Sequence, residues 1–510
     1  MELNEKDLQV IIDSVLKNVE AAIGNSSTTE KNSSTDPLKM KVLSGNQENG
    51  LSNFSNQALP SGVFDQVNDA IEAAYIAQRK WIKDYSKNDR DKIIDKMRTA
   101  VIDQAEFFAE MVLKETKLGN FQDKVAKLKL TTEKTPGAEI LQTETFSGDD
   151  GLTYIEQTPF GVIGAVTPVT NPVDTIINNG IGMLAAGNSV IFNVHPSSKA
   201  SCTKMVALLN DTITNAGGPK NLLTMVANPT LETVEQIANH KKIKLLVGTG
   251  GPGMVKSLLQ SGKKAIGAGA GNPPVIVDET ASIEKAAAAI IEGASFDNNI
   301  LCIAEKEVFV VDDVADDLIF ELLNQGAYML DKNQLANAMK LTLKENKDNI
   351  PGGCTYQARD YLVNKEWVGK DASLILEKIG VNATNVKLLL CDVDENHPYV
   401  QLEQLMPLLP IVRVKNIDEA IEQAVKCEHG NRHTAVIHSN HVENITRFAK
   451  EVETTIFVAN GSSLAGVGYH GEGFATMTIA GPTGEGVTSA RSFTRQRRTA
   501  ITNGGLNIIG

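Results

Sequence analysis

Apolar positions fall into distinct regimes along the chain. Over residues 1–23, Leu8, Ile11, Ile12, Val15, Leu16, Val19 and Ile23 recur at steps of three and four, the spacing of one apolar stripe on a helix, and Asp, Glu, Lys, Gln and Asn fill the other face. Residues 24–62 lose that period and turn rich in Ser, Asn and Gly. Such a stretch cannot bury a core, and it predicts a flexible linker. A short amphipathic helix on a tether predicts a docking segment that lays its stripe in a partner's groove; a helix that packs back on the body fits the same pattern. From about residue 63, β-rich apolar runs alternate with Ala-rich stretches. GVIGAVTPV (161–169), SVIFNV (189–194), LLTMVA (222–227), IKLLVG (243–248) and PVIVD (274–278) predict buried strands, joined by segments long enough to be crossover helices. This is the pattern of a doubly wound α/β sheet that binds nucleotides. After an Ala-rich helix at 283–294, a second series (EKEVFVVDD, VKLLLCDV, LPIVRV, TAVIHS, TIFVAN) predicts a second α/β domain.

Composition narrows the class further. The 510 residues suggest about three domains at roughly 150 residues each. Hydrophobic residues at 42% and charged residues at 22% are ordinary globular usage. Lys plus Arg total 49 against 62 acidic residues, so 49 − 62 = −13, which argues against a nucleic-acid partner. Cys202, Cys302, Cys354, Cys391 and Cys427 form no CxxC pair and have no His at ligand spacing, so neither a disulfide framework nor a metal site is expected. No apolar run approaches the length of a membrane span, and MELNEKDLQV lacks the features of a secretory signal, so a cytoplasmic location is expected. The four arginines between Arg491 and Arg498 read as a solvated or intersubunit face.

Two local patterns suggest chemistry. Gly248 to Gly253 (GTGGPG) follows a predicted strand and precedes a helix, which suits a phosphate cradle and a plain glycine turn equally. Asp278 lies 25 residues beyond Gly253, near the spacing of a ribose-binding acid. Cys302, in SFDNNILCIA, falls in a loop between the Ala-rich helix and the strand EVFVVDD. That position suggests access to a cleft, whereas the ordinary reading of each cysteine here is a small buried hydrophobe.

Seven segments occur together and in order: PFGVIGAVTPVTNPVDTIINNGIGMLAAGNSVIF, VGTGGPGMVKS, GAGAGNPPVIVD, FDNNILCIAEK, EQLMPLLPIVRV, EHGNRHTA and TIAGPTGEGVTSARSFTRQRR. With them the chain resembles, over about residues 63–510, the CoA-acylating branch of the aldehyde dehydrogenase superfamily, the propionaldehyde and acetaldehyde dehydrogenases of bacterial microcompartments. The resemblance implies a Rossmann-type cofactor domain at 63–274, an oligomerisation hairpin at 142–158, a catalytic domain at 275–470 and a C-terminal return at 471–510. It implies that Cys302 is the nucleophile and that Asn171 and the Cys302 backbone N–H hold the oxyanion. Hydride then leaves for a nicotinamide, and an acyl thioester remains on the sulfur.

Hydrolytic relatives carry a water-activating glutamate where this chain has Gly267, so the resemblance implies transfer of the acyl group to CoA. It places cofactor contacts at Thr167, Pro168, His195, Pro196, Thr249, Gly250, Gly251 and Gly269, with Glu403 on the nicotinamide ribose. Asn193 and Pro196 stand where many relatives have a lysine and a glutamate for the adenosine ribose, and NAD is the expected cofactor. His429, Arg432 and His433 belong to a motif of this branch that could meet CoA phosphates or bind local carboxylates. The N-terminal helix matches the family's encapsulation peptides, which implies shell proteins as partners and a microcompartment lumen as location. A homodimer or homotetramer is expected. A hydrolytic dehydrogenase and a noncatalytic shell-binding scaffold are the alternatives.

Overall fold

The computed structural model describes residues 59–346 and 360–508. The docking helix at 1–23, most of the linker and Cys354 lie outside the described residues. The first sheet has six parallel strands, in the order Val63–Phe64, Leu223–Val226, Ser189–Asn193, Val162–Val166, Ile243–Thr249, Lys264–Ala268. Ser189–Asn193 is buried at every position, and Ile243–Thr249 exposes only Lys244, because helices cover both faces of such a sheet. From the central strand Val162–Val166 the chain winds outward on one side, then returns to the other side through Ile243–Thr249. The carboxyl ends of those two strands therefore flank the point where strand order reverses, which is where open α/β sheets bind ligands.

The second sheet has seven parallel strands, in the order Ala327–Met329, Leu388–Asp392, Leu408–Val414, Glu307–Val311, Pro274–Val277, Thr434–His438, Ile456–Ala459. The expected α/β, doubly wound architecture is present. PVIVD, grouped with the first series by its pattern, supplies the strand Pro274–Val277 inside the second sheet, at the 274/275 boundary that the resemblance implies. Four buried apolar residues in a row fit either sheet, so the run itself carries no address. Lys264–Ala268 escaped the sequence reading because KAIGA is short and built from residues of low β-propensity.

Helix Pro172–Ala185 is buried at every position, so it has no solvent-exposed face, and its polar residues Asp174, Asn178 and Asn179 are buried with it. Its proline at the first turn lacks an N–H that would be unpaired there in any case, which fixes where the helix starts. Glu144–Gly148 and Gly151–Pro159 form an antiparallel hairpin, and Thr494–Ile501 pairs with its second strand to make a three-stranded sheet. Glu144–Gly148 is exposed throughout, and Arg495, Arg497 and Arg498 are exposed on the third strand. Among the described residues no helix is long and apolar enough to cross a membrane.

Candidate active site

Helix Ile283–Ser295 ends in a tight turn, and Asp297, Asn298 and Asn299 follow with φ of 47°, 55° and 64°. Left-handed backbone is costly for most side chains but least so for Asn and Asp, which is the physical content of FDNN. Each of the three is tied down. Asp297 accepts a hydrogen bond from Asn120 N–H at 2.9 Å and meets the ammonium groups of Lys124 at 3.1 Å and Lys127 at 2.6 Å. Asn298 Nδ2 donates to the Gly369 carbonyl at 3.0 Å and to Asp371 at 2.8 Å. Asn299 Nδ2 donates to the carbonyls of Ala294 at 2.8 Å and Glu305 at 3.0 Å. Lys306 closes the loop, donating to Asn299 Oδ1 at 2.5 Å and to the Leu301 carbonyl at 2.9 Å. Cys302 leaves this turn partly exposed.

The thiol opens on a narrow cleft whose walls include Lys127, Asn171, Phe296, Leu464, Tyr469 and Met477. Asn171 is buried immediately before Pro172, and its carbonyl accepts from Thr175 N–H at 3.0 Å. Its Oδ1 accepts from Lys127 Nζ at 2.8 Å, while its Nδ2 makes only a 3.3 Å bond to Thr170 Oγ1. The structure thus brings Cys302 and Asn171 to one cleft, with spare donor capacity on the Asn171 amide.

Burial pushes the Cys302 thiol up to about 12, the Glu403 charge adds to this, and Lys306 opposes it. Burial also raises Glu403 to about 7, against Lys306 and a 3.2 Å hydrogen bond from Gly271 N–H. Lys306 falls to about 8, chiefly through burial. Glu305 rises to about 7 by burial while accepting from Ser463 N–H at 2.8 Å and Ser463 Oγ at 2.9 Å. At neutral pH the resting sulfur is therefore a thiol, and Glu403 is the carboxylate whose field reaches it.

The expected cofactor residues collect at the carboxyl edge of the first sheet. Thr167 and Pro168 follow Val162–Val166, His195 and Pro196 follow Ser189–Asn193, Gly250 and Gly251 follow Thr249 at the end of its strand, and Gly269 follows Lys264–Ala268. Gly251 is the N-cap of helix Pro252–Leu259, and a Cβ placed there would meet nothing within 4 Å. Thr167 Oγ1 is buried with no partner, a polar group that suits a bound ligand. These features fit a dinucleotide. Glu403 accepts from Gly271 N–H at 3.2 Å, two residues beyond Gly269.

Other readings are sharpened. Gly267 lies inside its strand, where a Cβ would come within 2.5 Å of Val255 Cγ1. Asp278 belongs to the second sheet and is taken up by Thr280 and Asn444, away from the dinucleotide edge. Asn193 braces Thr233 at 2.6 Å. Arg432 pairs with Glu453 at 3.0 Å, and His429 Nε2 bonds the Gln401 carbonyl at 3.1 Å. Burial holds His433 down to about 4, so it carries no charge for a phosphate at neutral pH. Instead it faces the Cys302 backbone across Gly271, where a Cβ would lie 2.6 Å from the Cys302 carbonyl and 2.9 Å from the imidazole. Lys127, Lys306 and Tyr469 escaped the sequence reading. The two lysines are buried, contrary to the habit of the residue type.

Two parallel α/β sheets that meet at a cysteine-bearing loop are the architecture of an aldehyde-oxidising dehydrogenase. The chain belongs to the aldehyde dehydrogenase family, whose model matches residues 57–475. It is 46% identical over 444 residues to an acetaldehyde dehydrogenase (acetylating) of Bilophila wadsworthia, a match covering 86% of this chain and 90% of that protein. A propionaldehyde dehydrogenase from the fucose utilisation microcompartment of Clostridium phytofermentans is 47% identical with a TM-score of 0.83, covering 88% of this chain and 100% of that one. A Rhodopseudomonas palustris propionaldehyde dehydrogenase, solved with bound CoA and an acylated cysteine, is 46% identical with a TM-score of 0.83, covering 88% and 99%.

The electrostatics generate a prediction. Alkylation of Cys302 by iodoacetamide, followed by peptide mass, should keep accelerating from pH 7 to 10 with no plateau, because burial raises the thiol to about 12. Glu403→Gln removes the neighbouring negative charge and should raise the rate at pH 8 severalfold. A plateau below pH 9, or no effect of the substitution, contradicts this picture.

Proposed function

We propose that this enzyme oxidises short aldehydes such as propanal, acetaldehyde or lactaldehyde to acyl-CoA with NAD. The carrying observation is Gly267: where hydrolytic relatives place a base, this chain has neither a side chain nor room for one. The apolar cleft beside Cys302 supports a short, uncharged acyl group.

The residues divide the work as follows. The Cys302 thiol gives up its proton to a solvent base, and its sulfur attacks the aldehyde carbon while the carbonyl π pair moves to oxygen. Asn171 Nδ2 and the Cys302 N–H donate to that oxygen; losing one such donor typically costs about 10²–10³ in rate. A bound nicotinamide dinucleotide supplies the hydride acceptor. When the C–H bond breaks, the carbonyl re-forms as a thioester on Cys302. A CoA thiolate then attacks that carbon and Cys302 leaves as thiolate, so one thioester replaces another and water needs no activation. His433, neutral and unpartnered at Nε2, lies next to this loop.

The helix at 1–23 would dock the enzyme on microcompartment shell proteins, and the lumen would be its location. The hairpin Glu144–Pro159, exposed along its first strand, with strand Thr494–Ile501 would build a homodimer or homotetramer.

With aldehyde and NAD, NADH formation should continue only when CoA is present and should yield acyl-CoA; without CoA it should stop after about one turnover per site. Cys302→Ala should abolish it while keeping the thermal midpoint. Sustained release of free acid without CoA would favour the hydrolytic reading. Deleting residues 1–23 should leave soluble activity intact and remove co-sedimentation with shells; retained co-sedimentation rejects the docking role.

A further inference from the structure

Behind the cleft lies a charge cluster that the mechanism above does not use. Lys124 and Lys127 sit one turn apart on helix Phe121–Lys134, both buried, with the carboxylates of Asp174 and Asp297 also buried around them. The two cations face these two carboxylates, and at the rim Asp123 accepts from Asp297 N–H at 2.7 Å. Lys127 Nζ is at its centre: 2.6 Å from Asp297 Oδ2, 3.9 Å from Asp174 Oδ2 and 2.8 Å from Asn171 Oδ1.

An ammonium group has donors and no acceptor. It can face an amide only at the oxygen, because the opposite orientation would set the NH₂ hydrogens against the NH₃⁺ hydrogens in a site closed to water. Lys127 therefore decides which way the Asn171 amide points. With Oδ1 claimed, Nδ2 is left toward Thr170 and the cleft it shares with Cys302. The same ammonium also binds Asp297, five residues before Cys302 and on the loop that carries it.

We infer that Lys127 is a positioning residue for the oxyanion site: it fixes the donor face of Asn171 and ties that amide to the cysteine loop. This inference rests on the proposed roles of Cys302 and Asn171. Lys127 does not contact the reacting atoms; its effect passes through Asn171. A dead end for the idea is equally concrete, since a lysine that merely fills a buried hole would weaken folding without any coupling to Asn171.

The test is a double-mutant cycle on the full chain, read as the NADH burst at saturating aldehyde and NAD and as the KM for aldehyde, with thermal midpoints recorded for every protein. Asn171→Ala should slow the burst about 10²–10³-fold. Lys127→Met should slow it at least tenfold with KM changed less than twofold. The double variant should be no more than twofold slower than Asn171→Ala alone. An unchanged burst in folded Lys127→Met, or losses that multiply in the double variant, overturns the inference. If Lys127→Met leaves too much unbalanced buried charge to fold, the same comparison is run in an Asp297→Asn background, where Lys124 still balances Asp174. An inactive parent enzyme would sink the underlying reading of the site, whereas an active parent with an impaired Asn171→Ala and an unaffected Lys127→Met would sink this inference alone.

Discussion

The Asp297 carboxylate, fully buried and held by two lysines, is the interaction on which the site geometry depends. It comes from the turn before the cysteine, while its partners come from a helix more than 160 residues earlier in the chain. Removing one member of such a buried pair typically costs about 3–5 kcal/mol, because the remaining charge has nowhere to go. The cost falls on a turn that already holds three consecutive residues in left-handed backbone, each worth about 1–3 kcal/mol of strain in general. Two lysines on one buried carboxylate thus fasten the strained loop that presents a sulfur to the cleft.

Around that fixed point the two sheets divide the chemistry. The first contributes the edge where its strand order reverses, with glycines and a helix N-terminus left open for a dinucleotide. The second contributes the thiol loop, and Lys306 from the start of its strand Glu307–Val311 ties the loop carbonyls together. Gly271 lies on the crossing between the sheets and keeps His433, the Cys302 carbonyl and Glu403 within contact of one another's surroundings. A side chain at that position would meet backbone oxygen, so the close approach requires glycine.

Much of this was legible in the residues. Runs such as SVIFN and IKLLVGT announce strands covered on both faces, and the Ala-rich stretch before Cys302 announces the helix that delivers it. The order of the motifs singles out Cys302, Asn171 and Gly267. What the chain did not disclose is pairing at a distance. Lys127 looks like any surface lysine until Asp297 and Asn171 close over it, and PVIVD has no mark that sends it to the second sheet rather than the first. The protonation states were equally hidden: nothing in FDNNILCIAEK shows that burial keeps the sulfur protonated at rest. The histidine motif at 429–433 hid another placement, since His433 is an uncharged neighbour of the cysteine loop.

The central claim is that the acyl group is carried by the sulfur of Cys302 in a site where nothing prepares water to take it. The most direct measurement is to incubate the protein with propanal and oxidised cofactor in the absence of CoA, quench with acid and weigh the peptides. The account predicts one propionyl group on the peptide containing Cys302, persisting until CoA is added and then lost as propionyl-CoA. A peptide that stays unmodified throughout, while NADH accumulates, would contradict it.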